Sequence, residues 1–159
     1  MKIALGTDHR GVEAVRSLIA HLQSASREVT VLGECSDESC DYPDSAYLVG
    51  RAVADGDADR GILLCSNGIG VTIAANKIPG IRAALVYDKV NAERSRRHND
   101  ANVLCLGSEI TAHDDLAEII DVWLATPFDG GRHERRVRKI LAIERGENPA
   151  TSVPDAATA

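Results

Sequence analysis

Cys65 closes a continuous apolar run, Gly61-Ile-Leu-Leu-Cys65, and stands directly before the turn Ser66-Asn67-Gly68-Ile69-Gly70. A thiol at a strand end and ahead of a helix start has its thiolate favoured by the helix dipole and the loop amides. An isolated cysteine in an apolar run is more often a packing residue. Its position ahead of two glycines turns the balance toward chemistry. Gly68 and Gly70 permit positive φ and let a ligand approach the backbone closely. N–H groups at the following helix start make an anion cradle. Taken alone, the glycines fit a plain tight turn equally well. The turn is not a Walker A loop, because the GK[ST] ending is missing, and Ile73 stands where a dinucleotide fingerprint needs its third glycine.

Three further groups have types suited to a polar, anionic ligand. Asp8-His9 follows the first apolar run, where an imidazole can bind phosphate and a carboxylate can bind hydroxyls. His98-Asn99-Asp100 follows the basic stretch Glu93-Arg-Ser-Arg-Arg97, and a histidine there is commonly a cap or a solvated side chain. Arg132 and Arg136 are spaced i and i+4, so a helix carries both on one flank, suited to a phosphate monoester or to a merely solvated face. Val137, Ile140 and Leu141 form the expected core stripe of that helix.

The elements that must position these residues alternate from the start of the chain. Strands are expected at 2–7, 27–32, 61–65, 81–86 and 103–106. Helices are expected at 12–22, at 46–54 with Asp44 or Ser45 as cap, and at 71–76, 89–97, 112–125 and 132–145. Strands separated by helices imply a Rossmann-like three-layer α/β fold, a five-stranded parallel sheet with helices on both faces. Ligands of such sheets bind beyond the C-terminal strand ends, the rim that carries Asp8, His9, Cys65 and the glycine turn. One domain is expected over residues 1–146. Residues 147–159 lack an apolar period and are expected to be a disordered tail.

The 159 residues include 24 acidic and 18 basic side chains, a formal charge of −6, with 3 % aromatic residues. An acidic chain poor in aromatics argues against nucleic-acid binding. No apolar run approaches the length of a membrane span, and no signal peptide precedes the first strand, so a cytoplasmic location is expected. Cys35, Cys40, Cys65 and Cys105 form no CxxC pair and spell out no zinc site or dithiol motif. Cys105 is expected to be a buried packing residue, and Cys35 and Cys40 to be tolerated in an acidic loop.

Together these motifs resemble the type B ribose-5-phosphate isomerase family, which also includes galactose-6-phosphate and allose-6-phosphate isomerases. The matching pieces run in order from Asp8-His9 through Asp41-Tyr42-Pro43, Cys65–Gly70, Ile73–Lys77, Gly80–Ala83 and His98–Asp100 to Gly131–Arg136. The resemblance implies aldose–ketose isomerisation of a sugar phosphate through an enediolate, without a metal or other cofactor. By that likeness Cys65 is the base moving a proton between C1 and C2, His98 helps open the furanose ring, and Asp8 holds hydroxyls. Amides across Ser66, Asn67, Gly68, Ile69 and Gly70 would stabilise the enediolate. His9, Arg132 and Arg136 match phosphate ligands, Asn99 matches a sugar contact, and Tyr42 lies in the substrate-proximal loop.

One branch of the family carries Glu at the position of Val71 and lacks the cysteine, so this chain resembles the thiol branch. Many members have Gly-Thr where Ser66-Asn67 stands here, and Asn67 cannot relay a proton as a hydroxyl does. Arg10 adds a positive charge beside His9. The likeness also implies a homodimer or homotetramer with sites shared between subunits, His98, Arg132 and Arg136 coming partly from the partner chain. The rival readings are a non-catalytic sugar-phosphate-binding subunit or sensor, and an isomerase for a tetrose or hexose phosphate. A sensor needs no base, so Cys65, His98 and Asp8 together speak against the first.

Overall fold

A computed structural model describes residues 1–33 and 39–154. The strands are β1 (Lys2–Thr7), β2 (Glu28–Val31), β3 (Arg60–Cys65), β4 (Ala83–Leu85) and β5 (Val103–Gly107). The helices are α1 (Val12–Ser24), α2 (Tyr42–Ala54), α3 (Ile69–Ala75), α4 (Lys89–Asn99), α5 (His113–Ala125), α6 (Arg132–Glu144) and α7 (Pro149–Ser152). The strands form one sheet in the order β2-β1-β3-β5-β4, with every pairing parallel.

Side chains alternate across a strand, so β1, β3 and β5 each supply two cores. Ile3, Leu5, Ile62, Leu64, Leu104 and Leu106 pack beneath α1 and α5, around the fully buried Trp123. Ala4, Leu63, Cys65, Val103 and Cys105 face α2 and α3. The second face is built from smaller residues, which brings α2 close to the sheet. A Cβ added to Gly61 would lie 2.8 Å from Val49. The thiol of Cys65 therefore starts on the α2/α3 face, at the C-terminal end of the sheet.

The structure moves several expected boundaries, each for a local reason. Helix α2 starts at Tyr42 rather than after Asp44 or Ser45, because Pro43 has a fixed φ suited to a first helical turn. Gly68 adopts φ +78 as the N-cap of α3, so this helix begins two residues earlier than expected. Helix α4 runs on to Asn99, which puts His98 inside its last turn, and Asp100 ends it in the left-handed region. In α6 the inward residues include His133, Val137 and Ala142, whereas Ile140, expected in the core, is 42 % exposed. The expected disorder from residue 147 gives way to the single turn α7, capped by Asn148, with Val153 buried; residues 155–159 lie outside the described part.

Helix α5 is tied to α1 and to the start of β2 by Asp121, which accepts from Arg27 Nη1 and pairs with His21 Nε2, both at 2.8 Å. Burial works against this carboxylate, but Arg27 and His21 outweigh it and hold its pKa below the ordinary value. A depressed folded-state pKa contributes stability above the unfolded pKa and loses it as pH falls through the folded value. Asp121→Asn therefore lowers stability at pH 7 by no more than about 1 kcal/mol, as solvent-screened pairs do. Thermal melts should show that deficit at pH 7 and its shrinkage as pH falls from the ordinary carboxylate range toward the depressed folded-state value.

Candidate active site

The rim at the C-terminal strand ends holds the first group of candidate residues. Cys65 is buried and free, and its Sγ accepts the Gly68 N–H at 3.1 Å. The left-handed φ of Gly68 turns that amide back onto the sulfur, giving it a fixed donor for negative charge. A Cβ at Gly68 would lie 2.6 Å from Leu85, so the turn has room only for glycine. Asn67 Oδ1 accepts the Ile69 N–H at 2.9 Å, which makes the Asn67 side chain a cap for α3. Of the amides expected to line an oxyanion cradle, those of Gly68 and Ile69 are thus already engaged. Among the described residues, the Gly70 and Val71 N–H groups meet no backbone acceptor.

The neighbouring loops converge on this turn. Ser108 donates from both its backbone N–H and its hydroxyl to the Cys65 carbonyl, at 2.9 and 3.1 Å. Glu109 N–H donates to the Ser66 carbonyl at 3.1 Å. The buried Asp8 takes the Arg10 N–H at 2.9 Å, and His9 Nδ1 lies 3.4 Å from both the backbone nitrogen and oxygen of Cys40. The Tyr42 ring covers Gly70, where a Cβ would lie 2.7 Å from it. Cys65, Asp8, His9, Asn67, Ser66, Tyr42 and Gly70 therefore belong to one rim. Cys40 is disulfide-bonded rather than a free loop thiol, and Cys35 lies outside the described residues.

Cys105 lies one strand over and fully inside. Burial pushes its thiol up to about 12, against a Thr72 hydrogen bond that works the other way. Iodoacetamide at neutral pH should therefore leave the Cys105 peptide unmodified. Peptide mapping by mass spectrometry reads this directly.

The second group is elsewhere on the same chain. His98 and Asn99 end α4, and that helix end is fastened at the opposite, N-terminal end of the strands. Arg82 Nε donates to the carbonyls of Asn99 and Asp100 at 3.1 and 3.0 Å, and Gly61 N–H donates to the Asn102 carbonyl at 3.0 Å. Gly61 is the second residue of β3, and the run from it to Cys65 spans about 13 Å at the rise of a strand. Arg96 is buried and donates to Asp100, Ala101 and Thr126, fixing the helix end in place. Helix α6 adds Arg132 and Arg136 beside His98, after Gly130 and Gly131 at φ +66 and +55 have turned the chain.

Within this second group the His98 and His133 rings stack at 4.3 Å between centroids and 3° between planes. Arg132 Nε donates to His133 Nε2 at 3.3 Å, and Asp129 receives Arg97 Nε at 3.0 and 3.1 Å. His98, Asp129 and His133 offer donor atoms within 4.8 Å of one another, a spacing open to a cation. Arg132 already donates to His133 Nε2, and Arg97 to the Asp129 carboxylate. His133 was missed by a sequence reading that took only the arginines from Gly131–Arg136. Its signal was present, four residues before Val137 on the inward face of α6.

A five-stranded parallel sheet thus carries a thiol in a glycine turn at one end and a His-Arg cluster at the other. Residues 3–140 match the ribose/galactose isomerase family. The chain belongs to that family. Among its relatives, ribose-5-phosphate isomerase B of Escherichia coli is 45 % identical over 147 residues, 92 % of this chain and 99 % of that protein. A D-erythrulose-4-phosphate isomerase of Pectobacterium atrosepticum is 38 % identical over 148 residues, covering 92 % and 97 %. The solved ribose-5-phosphate isomerase B of Clostridium thermocellum superposes with a TM-score of 0.90 at 46 % identity, covering 92 % of this chain and 99 % of that one. The ribose/galactose isomerase fold is thus present over almost its whole length. No helix among the described residues is long and apolar enough to cross a membrane.

Proposed function

We propose that this chain interconverts ribose 5-phosphate and ribulose 5-phosphate, with Cys65 as the base. The observation that carries the reading is the free thiol at the end of β3 with the Gly68 N–H directed onto its sulfur. An aldose–ketose isomerase must take a weakly acidic proton from the carbon beside a carbonyl and return it to the neighbouring carbon. The Cys65 thiolate takes the C2 proton of the open-chain aldose and delivers it to C1, while the O2 hydroxyl gives up its proton and O1 gains one, so that the carbonyl moves from C1 to C2. The Gly70 and Val71 amides face the negative charge that develops on the enediolate oxygens. Asp8 and the Tyr42 loop hold hydroxyls, and His9 receives the phosphate. Relatives named for pentose and tetrose phosphates share the family, and the higher identity lies with the pentose enzyme.

The same reading assembles the complete site from two subunits. His98, Asn99, Arg132 and Arg136 sit at the strand end opposite Cys65, so no single chain closes around a five-carbon substrate. An apolar surface lies where a partner is needed: Ile69 and Ile73 are exposed one turn apart on α3, starting at the thiol turn, with Tyr47 on the neighbouring α2. A C2 dimer through this surface brings the partner's α4 and α6 ends to the rim. There the partner's His98 opens the furanose ring, its Asn99 contacts the sugar, and its arginines grip the phosphate.

An activity panel over erythrulose 4-phosphate, ribose 5-phosphate, allose 6-phosphate and galactose 6-phosphate tests the substrate. The largest kcat/KM is expected for ribose 5-phosphate. Turnover confined to a four- or six-carbon substrate would replace the pentose assignment, and a pure protein inactive on all four would favour a binding subunit.

A further inference from the structure

The buried imidazole of His133 has no part in the proton transfers above, yet it touches both kinds of group in the second half-site. Its face lies against His98 at 4.3 Å, with the planes within 3°. Its Nε2 takes the Arg132 Nε–H at 3.3 Å, so that nitrogen presents a lone pair and the ring proton sits on Nδ1. His98 is half-buried and Arg132 is exposed, whereas His133 is 7 % exposed and fixed on the inward face of α6 above Val137. Two more exposed groups thus lean on one buried ring.

We propose that His133 is a positioning residue that sets the ring-opening imidazole of His98 and the phosphate-binding guanidinium of Arg132 at a fixed spacing. The inference rests on the isomerase reading for the roles of those two residues. One ring face and one ring nitrogen serve the two partners separately, so the two effects can be pulled apart by substitution. The neutral state that the hydrogen bond requires agrees with the environment. Burial first, then the charges of His98, Arg132 and Arg136, lower the pKa of His133, and Asp129 opposes them.

His133→Phe keeps an aromatic face against His98 and removes the acceptor for Arg132. His133→Asn keeps an acceptor and removes the face. With ribose 5-phosphate, the Phe variant is expected to raise KM about tenfold with kcat within about twofold, the size of effect of one charge-assisted hydrogen bond. The Asn variant is expected to lower kcat about tenfold and to change KM less, because a misplaced acid–base group slows chemistry more than binding. Affinity for inorganic phosphate, measured by calorimetry on both full-length variants, should fall for Phe and hold for Asn. That binding arm does not depend on turnover, so it stands even if the isomerase reading fails for this substrate. Equal losses in kcat and KM for the two variants, or unchanged constants in both with wild-type melting temperatures, would overturn the proposal.

Discussion

Cys65→Ala is expected to lower kcat for ribose 5-phosphate by about a thousandfold or more, the upper part of the range for removing a general base. The fold should survive, because the side chain shrinks by one buried atom at the rim rather than in the centre of a core. KM should change little, since the phosphate and hydroxyl contacts come from other residues. Cys65→Ser is the sharper form of the test. A hydroxyl is nearly isosteric and can accept the Gly68 N–H, but it does not ionise near neutral pH as a thiol does. Serine should therefore be almost as inactive as alanine. Near-normal turnover in either variant would remove the thiol from the mechanism.

The second large effect concerns the assembly. Ile73→Glu combined with Tyr47→Glu places two charges on the exposed apolar face of α2 and α3. Charges at the centre of a subunit interface disfavour association by several kcal/mol unless paired. The expected product is a folded monomer by light scattering, with activity reduced by about a hundredfold or more, because orientation of groups supplied by a second chain is lost. Its circular dichroism should match that of the parent, since both positions are already exposed to solvent in the single chain. A monomeric variant that keeps full activity would show that one chain holds a complete site.

The sequence made the sheet and the first half-site legible because both depend on local pattern. Apolar runs of strand length, broken by glycine or polar residues, mark β1, β3 and β5, and the rule for ligand sites in parallel sheets then selects Asp8, His9 and Cys65. What escaped was orientation. Nothing in Ser66–Gly70 read as letters says that Gly68 turns its N–H onto the sulfur, or that Asn67 occupies the Ile69 amide. Those facts follow from a left-handed φ at one residue, which a sequence permits but does not dictate. Asn67 by its type cannot relay a proton, and the fold adds that its side-chain carbonyl accepts the Ile69 N–H as a helix cap.

The second half-site was legible only as charge. Arg132 and Arg136 stand out by spacing, but their histidine neighbour was overshadowed because polar residues on inward faces break the pattern that marks a core. Ile140 shows the converse. Its spacing assigns it to the core, yet α6 packs between α4 and α7 and leaves that edge open. The separation of His98 from Cys65 comes from topology, since a helix that precedes β5 must end near the strand's first residue. A resemblance named the residues; only the fold shows that one chain holds them at opposite ends of the sheet.

Mixing two inactive variants tests the shared site most directly. On the proposed mechanism Cys65→Ala lacks the base, and His98→Asn lacks the ring-opening group supplied by the other chain. If each site joins Cys65 of one chain to His98 of the other, a mixed dimer contains one doubly defective site and one intact site. Random mixing of equal amounts, by co-expression or by unfolding and refolding together, should then restore about a quarter of wild-type activity per chain. Recovery to that level is the result predicted here. A mixture as inactive as its two parents, with mixed dimers verified by mass, would contradict a site built from two subunits.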